Sequence, residues 1–144
     1  MVKLERTITI NAPVHKVFDY LTHATNLLEI WPSLVEVKDV KETPQHVGDT
    51  FHWAYKMAGM RFEGESTRTE YVPDKRLVSQ SSGGISSAFV YTFEGENGQT
   101  RFHEEIEYTV PVPLLGKLAE SIVLKLNEHE MDVFVANLKT RMET

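Results

Sequence analysis

The most regular alternation of hydrophobic and polar positions in the chain is FHWAYKM, residues 51–57. Large apolar side chains occupy every second position, so one side of the stretch carries Phe51, Trp53, Tyr55 and Met57. A period of two residues predicts a β-strand with one buried face. So much aromatic surface on one strand serves either to fill a core or to line a hollow.

The beginning of the chain changes from a strand period to a helix period. Residues 2–10, VKLERTITI, alternate imperfectly and predict a strand. In NAPVHKVFDYL the apolar positions fall at i, i+3, i+4 and i+7, which predicts one face of a helix that begins at Pro13. A second short helix is predicted over residues 25–30. It ends at Trp31-Pro32, because proline disfavours helical backbone in the preceding residue.

Short turn signals divide the middle of the chain, up to about residue 110, into strands. They are Ala58-Gly59, Pro73-Asp74, Gly83-Gly84 and Asn97-Gly98. Together with the first strand, the pattern predicts about seven strands, mostly antiparallel to their neighbours because the connections are short. The remainder of the chain predicts one long helix that begins at Pro113.

The widths of these elements predict an incompletely filled interior. Seven strands spaced by about 4.8 Å form a sheet about 33 Å wide, whereas one helix is only about 10–12 Å across. We therefore expect an α+β fold in which a curved antiparallel sheet of about seven strands surrounds the long C-terminal helix. The two short helices between strands 1 and 2 close one end. A sheet that wraps a single helix in this way leaves a hollow, which some of the aromatic side chains then face.

The C-terminal helix carries two apolar stripes. The first contains Leu115, Leu118, Ala119, Ile122 and Leu126, and the second, on a rotated face beyond about Asn127, contains Met131, Phe134, Val135, Leu138 and Met142. Either the helix is simply wide and amphipathic, or its first half roofs the hollow and its second half clamps the sheet. The apolar segment before it contains Val112, Leu114 and Leu115, and it forms a movable mouth, a dimer contact or a stiff connection.

Composition limits the functions that are open to the chain. With 144 residues and no obvious linker, we expect one domain over residues 1–144. A net charge of −6 without any basic run argues against nucleic-acid binding. The absence of cysteine excludes disulfides, thiol nucleophiles and cysteine-ligated metals. No apolar run reaches the ~18 residues of a membrane span and no signal-peptide core is visible, so a cytoplasmic protein is the default expectation.

Several stretches together resemble a known family. ITINAPVHKVFDYLTHATNLLEIWP, VGDTF, YVPDKRLV and the C-terminal LLGKLAE and NLKTRME are similar to segments of the START-like or Bet v 1-like helix-grip superfamily, and more narrowly of the polyketide cyclase/dehydrase and lipid transport (SRPBCC) family. The resemblance covers essentially the whole chain. It implies a helix-grip fold with a deep apolar cavity between the sheet and the C-terminal helix. Members bind lipids, sterols, polyketides, quinones or plant hormones, and a minority catalyse cyclisation or dehydration.

The predicted strands and helices supply candidate ligand-binding residues. An inward aromatic side chain either packs in the core or lines the hollow, and the hollow is favoured for Trp53, Tyr55 and Tyr91, whose polar tips can meet a ligand or water. The predicted ligand-binding residues are Trp31, Phe51, Trp53, Tyr55, Phe62, Arg68, Tyr91, Phe102, Glu104, Leu118, Ile122 and Leu126. No catalytic residue is identified, because the family resemblance includes no catalytic motif that can be assigned to residues of this chain.

Glu104 is the least expected member of this set. Strict alternation in TRFHEEIEYTV places it on the apolar side of its strand, between Phe102 and Ile106. A carboxylate that faces inward must be paired or protonated, and Arg68 is its predicted partner. Glu104 is then a polar anchor or a general acid in the pocket. The alternatives are a β-bulge that turns it outward and a salt bridge at the rim.

Neither the histidines nor the serines form a motif for catalysis or metal binding. The six histidines make no ligand pair with a carboxylate on one face, so we expect solvated histidines and neither a metal nor a cofactor. Ser81, Ser82, Ser86 and Ser87 surround Gly83-Gly84 without a nucleophile elbow, which indicates a flexible turn rather than a serine hydrolase.

Three functions remain open. A carrier or sensor that binds a lipid, a quinone or a polyketide-like molecule is favoured, because the inner faces offer much apolar area and few ionisable groups. A cyclase, dehydratase or isomerase would use Glu104, Arg68 and Tyr91 to steer proton transfer. An accessory module of a larger complex would act by protein contact. The expected partner is a hydrophobic small molecule, and the protein is expected to be a monomer or a homodimer.

Overall fold

Seven strands form one antiparallel sheet in the computed structural model, which describes residues 2–109 and 116–144 and, in the last helix, side chains from residue 121 onward. The strands are β1 (Val2–Ile10), β2 (Leu34–Lys41), β3 (Thr50–Met57), β4 (Met60–Val72), β5 (Arg76–Gly83), β6 (Ser87–Glu96) and β7 (Gln99–Tyr108). Their order is β1-β7-β6-β5-β4-β3-β2, so the first two strands of the chain lie at opposite edges. The segment between them must therefore cross the whole sheet.

Helices occupy that crossing and the C-terminal part of the chain. They are α1 (Val14–Thr22), a 3₁₀ turn (Ala24–Asn26), α2 (Leu27–Ile30) and α3 (Gly116–Met142). Helix α2 stops before Trp31, as the following proline predicts. The expected α+β fold, with a curved sheet, two short helices after the first strand and a long C-terminal helix, is confirmed.

The two hairpins whose turns end in glycine form as the turn residues predict. Ala58 and Gly59 have φ angles of 51° and 78°, and Asn97 and Gly98 have φ angles of 52° and 78°. Positive φ at both central residues is the signature of a type I′ turn, whose twist matches that of the strands. These turns fix the β3–β4 and β6–β7 registers that determine which side chains face inward.

The described part of α3 presents one continuous apolar face to the sheet. The side chains buried along it are Val123, Met131, Phe134, Val135, Leu138 and Met142. Ile122 and Leu126 are 53% and 45% exposed, so their predicted place in the hollow is wrong. The reason is that Val123 and Asn127 continue the inner stripe of the second half towards the N-terminus of the helix, at helical spacing, and turn the other two side chains to solvent.

Some predictions for the beginning of this helix fall outside the description. The apolar segment with Val112, Leu114 and Leu115 lies outside the described residues. The same holds for the side chains of Leu118 and Ala119.

Helix α1 closes one end of the interior through aromatic contacts. The ring of Phe18 meets those of Tyr71 and Phe93 edge-to-face, with centroids 5.3 Å and 5.2 Å away. At the end of β6, a Cβ on Gly95 would lie 2.8 Å from a methyl carbon of Val14. The glycine therefore allows α1 to approach the sheet closely, and the interior beyond Phe18 is packed rather than hollow.

Candidate functional site

A pocket lies between the inner face of the sheet and the short helices. Its cavity volume is about 120 Å³. One water molecule needs only about 10–15 Å³ of such a cavity, so the space exceeds that of a single water several times. The helical side contributes Leu21, Ala24, Leu27 and Trp31. Apolar cavities of roughly 150 Å³ bind small aromatic molecules such as benzene, and this pocket also opens to solvent, so it has room for a small organic molecule.

Six predicted ligand-binding residues line this pocket. They are Trp31, Phe51, Trp53, Tyr55, Arg68 and Tyr91. The Trp31 ring stands edge-to-face against the rings of Tyr55, Phe89 and Phe134, at centroid distances of 5.4, 5.7 and 5.7 Å. This cluster ties the end of α2 to the sheet and to α3, so the aromatic wall is held in place from three sides.

Other predicted residues lie outside the lining. Phe102 is fully buried behind the pocket, with its ring 5.6 Å from Tyr91 and 5.4 Å from Phe93. Phe62 is half-buried on β4 near the β3–β4 hairpin, where it packs beside Gly84. The exposed positions 122 and 126 face away from the pocket, and the side chain at 118 is not described. The prediction treated all inward aromatic residues alike. In the structure, those nearest α1 and the β3–β4 hairpin pack against other side chains and do not face the pocket.

Glu104 lies on the inner face of the sheet, as alternation predicts, but it is behind the residues that line the pocket. Its side chain is 1% exposed, and both carboxyl oxygens lack a hydrogen-bond partner among the described residues. Its neighbours across the sheet are Tyr91 and Arg6. Burial raises the pKa of Glu104 to about 8, although the charge of Arg6 acts in the opposite direction. The carboxyl is therefore mostly protonated at neutral pH.

The predicted pairing of Arg68 with Glu104 is wrong. One guanidinium nitrogen of Arg68 donates to Oδ2 of Asp49 over 3.0 Å, and the other donates to the carbonyl oxygen of Thr22 over 2.9 Å. Residues paired across neighbouring strands form a row of the sheet, and Arg68 lies in the row of Ser79, one row away from that of Glu104. An odd or even position along a strand tells which face a side chain is on but not which row it belongs to. The sequence therefore suggested the wrong partner.

Asp49 is the centre of a polar network at the wall of the pocket. Besides Arg68, it interacts with the backbone N–H of Thr43 at 2.6 Å and with Nδ1 of His46 at 2.9 Å. Burial acts to raise the pKa of Asp49, but these hydrogen bonds and the charge of Arg68 outweigh it, so the pKa lies below its ordinary value. The wall therefore holds a compensated ion pair. Asp49 was missed as a site residue, although it stands in the VGDTF segment that marked the family.

A second polar cluster, formed by Tyr55, Tyr108 and Asn127, lines the pocket on the side of α3. The side-chain amide of Asn127 donates to the hydroxyl of Tyr108 over 2.8 Å and accepts from the hydroxyl of Tyr55 over 3.5 Å. Burial raises the pKa of both phenols, so they stay neutral. Tyr108 and Asn127 were not predicted. The sequence signal that could have identified Asn127 was a polar residue on the apolar stripe of the C-terminal helix.

Four serines also line the pocket: Ser66, Ser79, Ser81 and Ser87. The expectation of a flexible turn is wrong for the last two, because the β5–β6 ladder includes them as a cross-strand pair. Ser82 and Ser86, which have the other parity, are exposed. The abundance of serine in this region hid the alternation that a more apolar strand would have shown.

The outer face carries a cluster that the sequence did not suggest. Glu5, His103 and Glu105 each place a potential ligand atom within 4.8 Å of the others. These residues are brought together by β1–β7 pairing, which no spacing along the chain reveals. Lys3 already binds Glu105 at 2.5 Å, and a surface lysine–carboxylate contact of this kind is ordinary. The cluster therefore indicates no function.

Comparison with solved structures places the architecture in the helix-grip class. A protein from Thermus thermophilus superposes with a TM-score of 0.83 at 17% identity, covering 98% of this chain and 97% of that one. The Zhui aromatase/cyclase from a Streptomyces species gives 0.82 at 15% identity over 99% and 93%. A START superfamily protein from Mycobacterium smegmatis gives 0.80 at 10% identity over 98% and 97%. At these identities the likeness establishes the fold alone.

The sequence comparison then identifies the family. The model of the family "Polyketide cyclase / dehydrase and lipid transport" matches residues 1–143, and the chain belongs to this family. An uncharacterized 17.2 kDa protein from Streptomyces lincolnensis is 29% identical over 94 residues, which are 65% of this chain and 59% of the relative's length. Within the described residues, no helix is both long and apolar enough to cross a membrane.

Proposed function

We propose that the protein binds a hydrophobic small molecule in the pocket and acts as its carrier or sensor. The observation that supports this most strongly is the lining itself. Aromatic and aliphatic side chains such as Trp31, Phe89 and Leu77 make up most of the wall, and polar side chains are the minority. Ligand sites typically combine such apolar walls with a few orienting polar groups.

The ionisable groups favour binding over catalysis. Arg68 is the charged residue among the described lining residues, and Asp49 neutralises it. Glu104 is enclosed behind Tyr91 and reaches no pocket surface. General acid–base catalysis needs a proton-transferring group within hydrogen-bond reach of the substrate. The described lining provides hydroxyl groups, the amide of Asn127 and one paired guanidinium, which suit recognition of a ligand better than proton transfer.

The test is a titration with N-phenyl-1-naphthylamine, a neutral probe that fluoresces in apolar surroundings. We expect saturable one-to-one binding to the native protein. In Ser81→Leu the larger side chain fills part of the pocket, so the affinity for the probe should fall by about tenfold or more. This substitution enlarges a residue that faces open space and should leave the fold intact, which circular dichroism checks.

The exposed apolar side chains of α3 are the rival binding site, and they provide the matched control. The double variant Ile122→Ser/Leu126→Ser removes apolar surface without touching the pocket. We expect it to bind the probe as the wild type does. Absence of binding to the native wild type, or loss of binding in the helix variant alone, would contradict the proposed function.

A further inference from the structure

A row of hydroxyl groups crosses the inner face of the sheet. Ser66, Ser81 and Ser87 are directly paired across β4, β5 and β6, and the row is flanked by Phe51 on β3 and Tyr108 on β7. All five residues line the pocket. Since neighbouring strands lie about 4.8 Å apart, the row presents serine hydroxyls at about that interval. The inner face of a sheet usually carries larger apolar residues at such positions, so this row needs an explanation.

Two buried threonines show how the protein can satisfy a hydroxyl group in its interior. Thr100 donates to the carbonyl oxygen of Ala12 over 2.8 Å, and Thr22 donates to that of Phe18 over 2.9 Å. Within the described part of the chain, the hydroxyls of the serine row make no such side-chain hydrogen bond. They are also not among the enclosed polar atoms that lack a partner, so they keep contact with the pocket space. Their hydrogen-bonding capacity is therefore directed into the pocket.

The charge beside this row is already compensated. Arg68, opposite Ser79 in the next row, is paired with Asp49, and both side chains are only 10% exposed. A carboxylate ligand would have to compete with Asp49 for the guanidinium, and it would add a charge to a poorly solvated wall. The described lining thus offers hydrogen bonds without net charge, which favours a neutral ligand.

We propose that the ligand is a neutral molecule with hydroxyl or carbonyl oxygens along one edge of an apolar framework. The oxygens lie on the serine row, and the framework lies against the aromatic side chains Trp31, Phe51 and Phe89. A serine hydroxyl both donates and accepts, so either kind of oxygen is recognised. A free fatty acid fits poorly, because its oxygens form one charged end and its chain carries none. This inference rests on the proposed function, since it concerns the ligand of the same pocket.

Three probes on one framework test the inference: naphthalene, 1,3-dihydroxynaphthalene and 2-naphthoate. Their affinities are measured at neutral pH by displacement of N-phenyl-1-naphthylamine. We expect the dihydroxy compound to bind about tenfold more tightly than either of the others, as one to two net hydrogen bonds provide. In Ser66→Ala/Ser81→Ala this preference over naphthalene should fall to about twofold. Ser82→Ala, exposed on the same strand, is the control and keeps the wild-type preference.

The outcomes separate the two proposals. If naphthalene binds but the dihydroxy compound gains nothing, or if 2-naphthoate binds most tightly, the inference about the ligand is overturned and the proposed function stands. If the preference persists in the double serine variant, the row does not recognise the oxygens and the inference also fails. If the native protein does not bind the fluorescent reporter, both proposals fail.

Discussion

Replacing Glu104 by glutamine tests the description of the buried carboxyl. Burial raises the pKa of this group from 4.5 to about 8, against the charge of Arg6. The folded protein therefore retains a proton that the unfolded chain releases above about pH 4.5. As the pH rises through this range, the free energy of unfolding falls, and the loss levels off only above about pH 8.

The size of the effect follows from the two pKa values. One pKa unit corresponds to about 1.4 kcal/mol. With pKa values of 4.5 in the unfolded chain and about 8 in the fold, the carboxyl costs the folded state about 1 kcal/mol at pH 5, about 3 at pH 7 and about 4 at pH 8. Glutamine has nearly the same shape and does not ionise. Relative to the wild type, Glu104→Gln should therefore gain about 3 kcal/mol of stability between pH 5 and pH 8.

Urea unfolding followed by circular dichroism from pH 5 to pH 8 measures this difference. Glu107→Gln is the matched control, since Glu107 lies on the same strand but is half-exposed on the other face, and it should keep the wild-type dependence on pH. Parallel stability curves for the wild type and Glu104→Gln would refute the reasoning. They would mean that the carboxyl is solvated or paired in the folded protein.

Three further predictions test the contacts around the pocket. Phe134→Ala should lower the free energy of unfolding by about 3–5 kcal/mol and Ile122→Ala by less than about 0.5, because only the Phe134 side chain is buried. Equal losses in urea unfolding would contradict the assigned helix face. Gly64→Ala should lower the melting temperature and shift the fluorescence of Trp53, because its Cβ would lie 2.4 Å from that ring and 2.2 Å from a backbone oxygen; an unchanged spectrum and melting temperature would count against this contact. Asp49→Ala should cost about 3–5 kcal/mol, because it leaves a buried guanidinium without its carboxylate; a loss below about 1 kcal/mol would show that the pair is solvated.

The strands and turns were predictable because their signals are local. A type I′ turn requires positive φ at both central residues, and Asn97-Gly98 provides the residues that tolerate it. Alternation along β3 likewise gives the inner face of Phe51, Trp53 and Tyr55, all of which line the pocket. The face of a strand depends on the parity of its positions, so a single sequence determines it wherever no bulge intervenes.

The contacts across the sheet were not predictable in the same way. The β4–β5 ladder has a register shift between Arg68 and Glu70, so the row in which Arg68 lies depends on strand pairing and not on its own strand. For α3, both stripes are equally apolar, and only packing against the sheet decides that Val123 is buried while Ile122 is exposed. The serine row was missed for a related reason, because its members come from three strands.

The most direct test of a ligand pocket inside this fold is the ¹H–¹⁵N NMR spectrum of the protein titrated with N-phenyl-1-naphthylamine. The backbone amides of Ser79, Ser81 and Tyr91, whose side chains line the pocket, report on its interior. We predict that their signals shift most and saturate with one equivalent of the probe. Shifts confined to residues 122–126 of α3, with the signals of the inner strands unmoved, would contradict the account.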